Sequence, residues 1–350
     1  MEEKIRHLLT SVVHPETGQD IVGSGFIEHI ASGAGKITVV LRFAKARDPF
    51  AVKIKNQAEE ILRREFPQQN VMVVIKEGGA APRPEPKLKT TTGGIAKVIA
   101  VASGKGGVGK STVTANLAVA LRNMGYRVGI LDADIYGPSM PTMFGVEGYQ
   151  PASDEEGTPR IYPALSMGVK VMSIGFFINP KDALIWRGPM ATNALRQLTH
   201  QTDWGELDFL LIDMPPGTGD IHLSLMQDLK ISGAIIVSTP QKIALADVRR
   251  GIGMFRAKQI NIPVLGIVEN MAWFTPAELP ANRYYIFGKG GAQELARSEN
   301  IPLLAEIPLI QSVREAADAG MPVATQESTS AAFYTGLAKN LVTELEKTGH

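Results

Sequence analysis

A chain of 350 residues, 44% hydrophobic and 20% charged with 35 Gly and 22 Pro, is long enough for two globular domains and excludes a disordered chain, a collagen or a long coiled coil. Its 36 basic and 35 acidic residues leave a formal charge of +1, so no uniform field favours nucleic acid or an anionic membrane, and neither is an expected partner. Zero cysteines exclude disulfides, thiolate nucleophiles, cysteine zinc sites and iron–sulfur clusters held by the chain's own thiolates.

No apolar run reaches about 18 residues, and Met1-Glu2-Glu3-Lys4 is a poor start for a signal peptide, so the expected location is cytoplasmic. Glu2–Leu9 suits a short helix. Ile21–Ile30 and Lys36–Phe43 read as strands joined through Ala31–Gly35 into a hairpin. Ala51–Phe66 has helical spacing through Val52, Ala58, Ile61 and Leu62, and Val71–Ile75 is a last strand, which makes residues 1–76 a small α/β domain. Residues 77–96 hold Gly78-Gly79, Pro82, Pro84, Pro86, Thr90–Thr92 and Gly93-Gly94 without hydrophobic period, and read as a linker.

Residues 97–350 alternate short apolar strands with helical stretches. The strand candidates are Lys97–Ser103, Val128–Asp132, Val169–Ile174, Phe209–Asp213, Ala234–Thr239 and Val264–Glu269. Their near-continuous Val, Ile and Leu runs suit parallel strands buried on both faces, so this domain is expected to be a doubly wound α/β fold with a mostly parallel sheet. Near the end, Ala331–Lys347 sets Phe333, Tyr334, Leu337, Leu341, Val342 and Leu345 on one helical face, a pattern for packing on the domain's own sheet.

The segment Gly104-Lys105-Gly106-Gly107-Val108-Gly109-Lys110-Ser111 fits G-x-x-x-x-G-K-[ST]. It follows an expected strand and opens a helix over Thr112–Met124 that Gly125 closes, which is the context a phosphate-binding loop requires. The glycines let successive backbone N–H groups turn toward phosphate oxygens, and the helix N-terminus adds partial positive charge. Residues Gly104 through Thr112 are therefore expected to bind nucleotide, with Lys110 on the β- and γ-phosphates and the Ser111 hydroxyl on Mg²⁺. Lys105 stands where an ordinary phosphate loop needs no cation, and both a solvated loop lysine and a functional one fit it. Phe209–Asp213 ends an apolar strand in a carboxylate before Met214-Pro215-Pro216-Gly217-Thr218-Gly219-Asp220, the place for a Mg²⁺-supporting Asp. Asp132-Ala133-Asp134 ends the preceding strand, and suits either orientation of water or a plain turn.

These residues carry a family resemblance. Lys105 with Lys110, Asp132–Asp134 and Asp213–Gly217 resemble the deviant Walker A ATPases, the group that includes MinD, ParA and the nitrogenase iron protein. The stretches Asp132–Pro141, Trp186–Met190, Ile212–Asp220 and Tyr284–Gly291 are more specifically similar to the Mrp/ApbC family of iron–sulfur carrier ATPases, and His14–Val22 resembles the SufT-like assembly domain. The resemblance implies a Mg²⁺-ATP-dependent homodimer that binds iron–sulfur clusters and passes them to apoproteins or assists their assembly, with apoproteins or assembly factors as partners. It implies that Lys105 reaches the phosphates of a partner subunit, that Asp134 orients water, that Asp213 supports Mg²⁺, and that Asn270 contacts adenine. No Asn-Lys-x-Asp guanine motif is present, which favours ATP.

Two departures stand out. Relatives usually carry Cys-x-x-Cys shortly after the Asn-Met pair, whereas Asn270–Tyr285 holds no thiol; relatives often have Asp-Pro-Glu where His14-Pro15-Glu16 stands. The aromatic residues Trp273, Phe274, Tyr284 and Tyr285 fit either a contact surface or ordinary packing. His7, His14, His29, His200, His222 and His350 have no mutual metal-ligand spacing, and His222 fits either a structural role or one coupled to the loop after Asp213. Two other functions use the same loop: a MinD- or ParA-like positioning or regulatory ATPase that acts through a partner protein or surface, and a small-molecule kinase.

Overall fold

A computed structural model describes residues 2–15, 18–33, 35–43, 48, 50–76, 94–152, 160–177 and 188–348. The chain divides into two compact units, Met1–Lys87 and Leu88–His350. Most of the expected linker, residues 77–93, lies outside the described residues, as do Glu16, Trp186 and Arg187 of the quoted motifs.

In the smaller unit α1 (Glu2–Leu9) precedes β1 (Ile27–Gly33) and β2 (Lys36–Arg42), an antiparallel pair in which Gly33 lies opposite Lys36. Helix α2 (Ala51–Glu65) then crosses over to β3 (Asn70–Lys76), which runs parallel to β2. Ile37, Val39 and Leu41 alternate inward and meet Ile5, Leu9, Ile54, Ala58 and Leu62 in one core. The first strand is shorter than expected and begins at Ile27. Asp20 Oδ1 accepts the Val22 and Gly23 N–H groups (3.0 and 2.7 Å), an Asx turn that keeps residues 21–25 out of the sheet. His14 and Asp48 are both buried and meet at 3.2 Å, with Phe26 and Phe50 against the imidazole.

The larger unit is the expected doubly wound α/β fold. Its elements are β4 (Ile95–Ser103), α3 (Lys110–Asn123), β5 (Val128–Asp132), α4 (Met140–Met143), β6 (Ala164–Ser166), β7 (Val169–Ser173) and α5 (Gly188–Gln201). There follow β8 (Leu207–Asp213), α6 (Asp220–Asp228), β9 (Gly233–Ser238), α7 (Lys242–Arg256), β10 (Val264–Phe274), α8 (Gly291–Glu299), β11 (Leu303–Leu309), α9 (Gln311–Asp318) and α10 (Thr329–Thr348). The sheet order is β11-β10-β9-β4-β8-β5-β7-β6, parallel except for the short edge strand β6. Val98 and Ala100 face one core while Ile99 and Val101 face the other, so each central strand is apolar on both sides.

Strands β6 and β11 are additions to the expected set. Both are edge strands, β6 only three residues long and β11 broken in pattern by Glu306 and Pro308, so neither carries the continuous apolar run of a central strand. β10 continues past Glu269 to Phe274, with Met271 at φ 57° marking the point where its register with β11 shifts. Helix α10 lies against α3 and β11 and buries Tyr334, Leu337, Leu341 and Leu345. No helix among the described residues is long and apolar enough to cross a membrane.

Helix α10 thus holds down α3, the helix that carries the phosphate-loop lysine. Leu337→Ala is expected to lower the unfolding free energy of this unit by about 2–5 kcal/mol, read as a lower urea midpoint at unchanged slope. An unchanged midpoint would contradict the packing of α10.

Candidate nucleotide-binding site

The site forms at the carboxyl ends of β4, β8 and β5. Parallel register sets Asp213 beside Val101 on one side and beside Asp132 on the other, so the phosphate loop after β4 and both acidic strand ends open on one edge. Gly109 is the N-cap of α3 at φ 80°, a left-handed conformation that a side chain disfavours. Gly104 is required by contact: a Cβ there would lie 2.5 Å from the Asp247 backbone carbon of α7.

Lys110 Nζ donates to Asp213 Oδ2 at 2.7 Å and lies 3.7 Å from Asp134 Oδ2. Ser111 Oγ donates to the same Asp213 Oδ2 (2.6 Å), and Thr114 Oγ1 donates to Asp213 Oδ1 (2.7 Å). Asp132 is fully buried: its Oδ2 accepts from Met140 N (3.1 Å) and Ser173 Oγ (2.9 Å), and its Oδ1 from Asp134 N (3.2 Å). Asp134 Oδ1 is buried without a hydrogen-bond partner. Burial, reinforced by the Asp213 charge, pushes the Asp132 carboxyl up to about 7. Burial also raises Asp134, and Lys110 opposes that rise.

Three carboxylates against one ammonium leave an excess of acceptor oxygens. The orphaned Asp134 oxygen and the hydroxyl of Ser111 on Asp213 fit a hard divalent cation that keeps water and phosphate ligands. Among the described residues no group of three or more His, Asp or Glu could hold a metal ion by itself.

Lys105 Nζ donates to Gln241 Oε1 of its own chain at 3.0 Å, beside the start of α7. Asn270 is buried, its Nδ2 donating to Val108 O at 2.8 Å. Asn270 also lines a cavity of about 350 Å³ with Thr112, Met271, Pro308, Val313 and Tyr334, mostly apolar and next to the phosphate loop. Its neighbour Glu269 is buried too, and Oε2 accepts from Ala292 N (2.7 Å) at the start of α8; burial raises this carboxyl. Beyond Asn270, Phe274 pairs with Tyr284, Arg283 lies over the Trp273 ring at 4.4 Å, and Leu279, Tyr284, Tyr285 and Ile286 are exposed. No cysteine thiol exists there or elsewhere in the sequence, so these side chains do not fit a cluster's thiolate ligation.

Sequence reasoning missed Thr114, Ser173, Gln241 and Glu269. Thr114 had a signal, since it stands four residues after Lys110 and shares its helix face. The other three come from separate elements brought in by the sheet.

A family profile described as NUBPL iron-transfer P-loop NTPase matches residues 94–342. The chain belongs to this family. A second profile, described as iron-sulfur cluster assembly protein, matches residues 2–74. The chain is 40% identical over 342 residues to the iron-sulfur cluster carrier protein of Synechocystis sp., covering 95% of each. Among solved structures, an Archaeoglobus fulgidus nucleotide-binding protein in complex with ADP is 44% identical, with TM-score 0.59 over 69% of this chain and 93% of that one. The Pyrococcus furiosus cell division ATPase MinD is 25% identical, with TM-score 0.51 over 71% of this chain and 99% of that one. The phosphate loop thus lies in a unit that belongs to the iron-transfer P-loop NTPases.

The raised Asp132 carboxyl has a sign that can be checked. The folded chain holds this proton up to about pH 7 while an unfolded Asp releases it near the ordinary value of 3.8, so this group's contribution to stability falls as pH rises across that interval. Asp132→Asn is expected to flatten the decline: the stability of the wild type relative to the variant should drop between pH 5 and pH 8 in paired thermal melts. A constant difference would show that Asp132 ionises normally.

Proposed function

We propose that the chain is a Mg²⁺-dependent ATPase that acts as a homodimer in iron–sulfur cluster assembly and transfer. The observation that carries this is the cluster of Lys110, Ser111, Asp213, Asp132 and Asp134 at the mouth of a phosphate loop, in a chain of the iron-transfer family. In this reading the backbone N–H groups from Gly104 to Thr112 cradle the phosphates. Lys110 exchanges its bond to Asp213 for the β- and γ-phosphates, and the cavity beside Asn270 takes the adenine. Ser111 and Asp213 would hold Mg²⁺, which supplies charge neutralisation of the phosphates.

Asp134 is the acceptor left for the attacking water, because one of its oxygens is buried without a partner while Asp132 and Asp213 are bonded at both oxygens. Lys105 supplies a cation to the phosphates of the second subunit after leaving Gln241. The cluster is cargo, and with no cysteine in the chain its thiolates belong to the protein that delivers or receives it. Iron–sulfur apoproteins or assembly factors with exposed thiols are therefore the partners. The apolar face of α10 is buried in its own unit, which weighs against a membrane-seeking tail.

Lys110→Ala and Lys105→Ala should each reduce ATP turnover by about 100-fold or more in a phosphate-release assay. Normal hydrolysis by Lys105→Ala would remove the trans-acting role. In anaerobic reconstitution with iron and sulfide, the chain alone should retain no iron after desalting. With a thiol-bearing acceptor present, cluster absorbance should appear on the acceptor in an ATP-dependent manner. A stable cluster on the chain alone would overturn the assignment of the thiolates to a partner.

A further inference from the structure

The loop that leaves Asp213 has an internal support that the phosphate chemistry does not explain. Met214 N donates to Val101 O and Gly217 N to Ser103 O, both at 3.0 Å, so the front of the loop is laid along β4 and the start of the phosphate loop. Pro215 and Pro216 have no N–H and add no further backbone donor. Behind the loop stands His222, in the first turn of α6 and 1% exposed. Its N–H donates to Gly219 O at 3.0 Å, and its Nδ1 accepts from Gly219 N at 3.2 Å, a reciprocal cap in which an imidazole replaces the usual Glu or Gln. Its Nε2 lies 2.9 Å from Pro215 O. A backbone N–H on Nδ1 requires that nitrogen to be unprotonated, so Nε2 carries the hydrogen and donates to Pro215 O.

One neutral ring therefore ties the first and last residues of the 215–219 segment, with the docked Gly217 between them. We propose that His222 is a positioning residue for ATP turnover, bracing this segment so that Asp213 and the Ser103–Gly217 contact keep their places against the phosphate loop. Burial is the largest influence on this ring and lowers its affinity for a second proton, in keeping with the neutral tautomer. The inference rests on the ATPase reading, but its geometry is independent of hydrolysis.

The test compares full-length wild type with His222→Leu, which loses both ring bonds, His222→Asn, which keeps an acceptor near Nδ1, and His222→Gln, which reaches toward Pro215 O. His222→Leu should lower kcat about ten-fold or more while the ATP dissociation constant stays within about three-fold, and the Asn and Gln variants should each recover part of the loss. In hydrogen exchange, the Gly219 amide should open about ten-fold faster in His222→Leu and remain protected in His222→Asn. Wild-type kcat and unchanged Gly219 exchange in His222→Leu would overturn the proposal, as would parallel losses of kcat and ATP affinity. If His222→Leu does not fold, the Asn and Gln variants decide: wild-type behaviour of both in both measurements overturns it. If the wild type hydrolyses no ATP, the ATPase reading fails, and Gly219 exchange alone judges the brace.

Discussion

Lys110 is one ammonium set among three carboxylates, and the larger unit is arranged around that imbalance. A buried carboxylate is costly unless it is paired or well bonded, and the protein spreads its donors unevenly. Asp213 receives the lysine and two hydroxyls, while Asp132 receives two backbone N–H groups and a serine. Asp134 keeps one oxygen without a hydrogen-bond partner and is the least buried of the three. The least buried carboxylate is thus the one with an acceptor oxygen still unmatched.

This arrangement depends on strand register. Asp132 and Asp213 are direct neighbours across β5 and β8, and a slip of one residue would turn one of them to the opposite face. Two separate cores on the two faces of the sheet prevent such a slip, because each apolar residue on the central strands would change sides with it. The same register brings β10 alongside β9, where Glu269 caps α8 and Asn270 bonds the phosphate loop at Val108. The electrostatics of the site and the packing of the sheet are in this sense one problem.

Chemistry that lies close together in the chain was readable from the sequence. The strand–loop–helix around Gly104–Ser111, the acidic ends of β5 and β8, and the parallel central strands all follow from local pattern, since fully buried strands are apolar throughout. Edge strands were less legible, because exposure on one side removes the continuous run that marks a central strand; β6 and β11 are the examples. The Asx turn at Asp20 was hidden by the apolar pairs Ile21-Val22 and Phe26-Ile27 that follow it, which imitate a strand. Least legible were contacts between distant segments: Ser173 on Asp132 spans 41 positions and Gln241 on Lys105 spans 136, and no spacing rule covers such pairs. His222 was intermediate. Its place beside the second loop was evident, but the direction of its ring nitrogens emerged only from the folded backbone.

The bond between Lys105 and Gln241 sets a threshold. Any use of this ammonium outside its own subunit begins with the loss of a hydrogen bond, worth on the order of 1 kcal/mol in a partly solvated setting. That is about a five-fold bias toward the self-contained arrangement. In the proposed dimer the second subunit would have to offer more than a neutral amide does, and a phosphate's charge meets that condition where an uncharged surface does not. On the proposed function, the glutamine would act as a discriminator that keeps Lys105 at home against weak encounters and yields it to an anion.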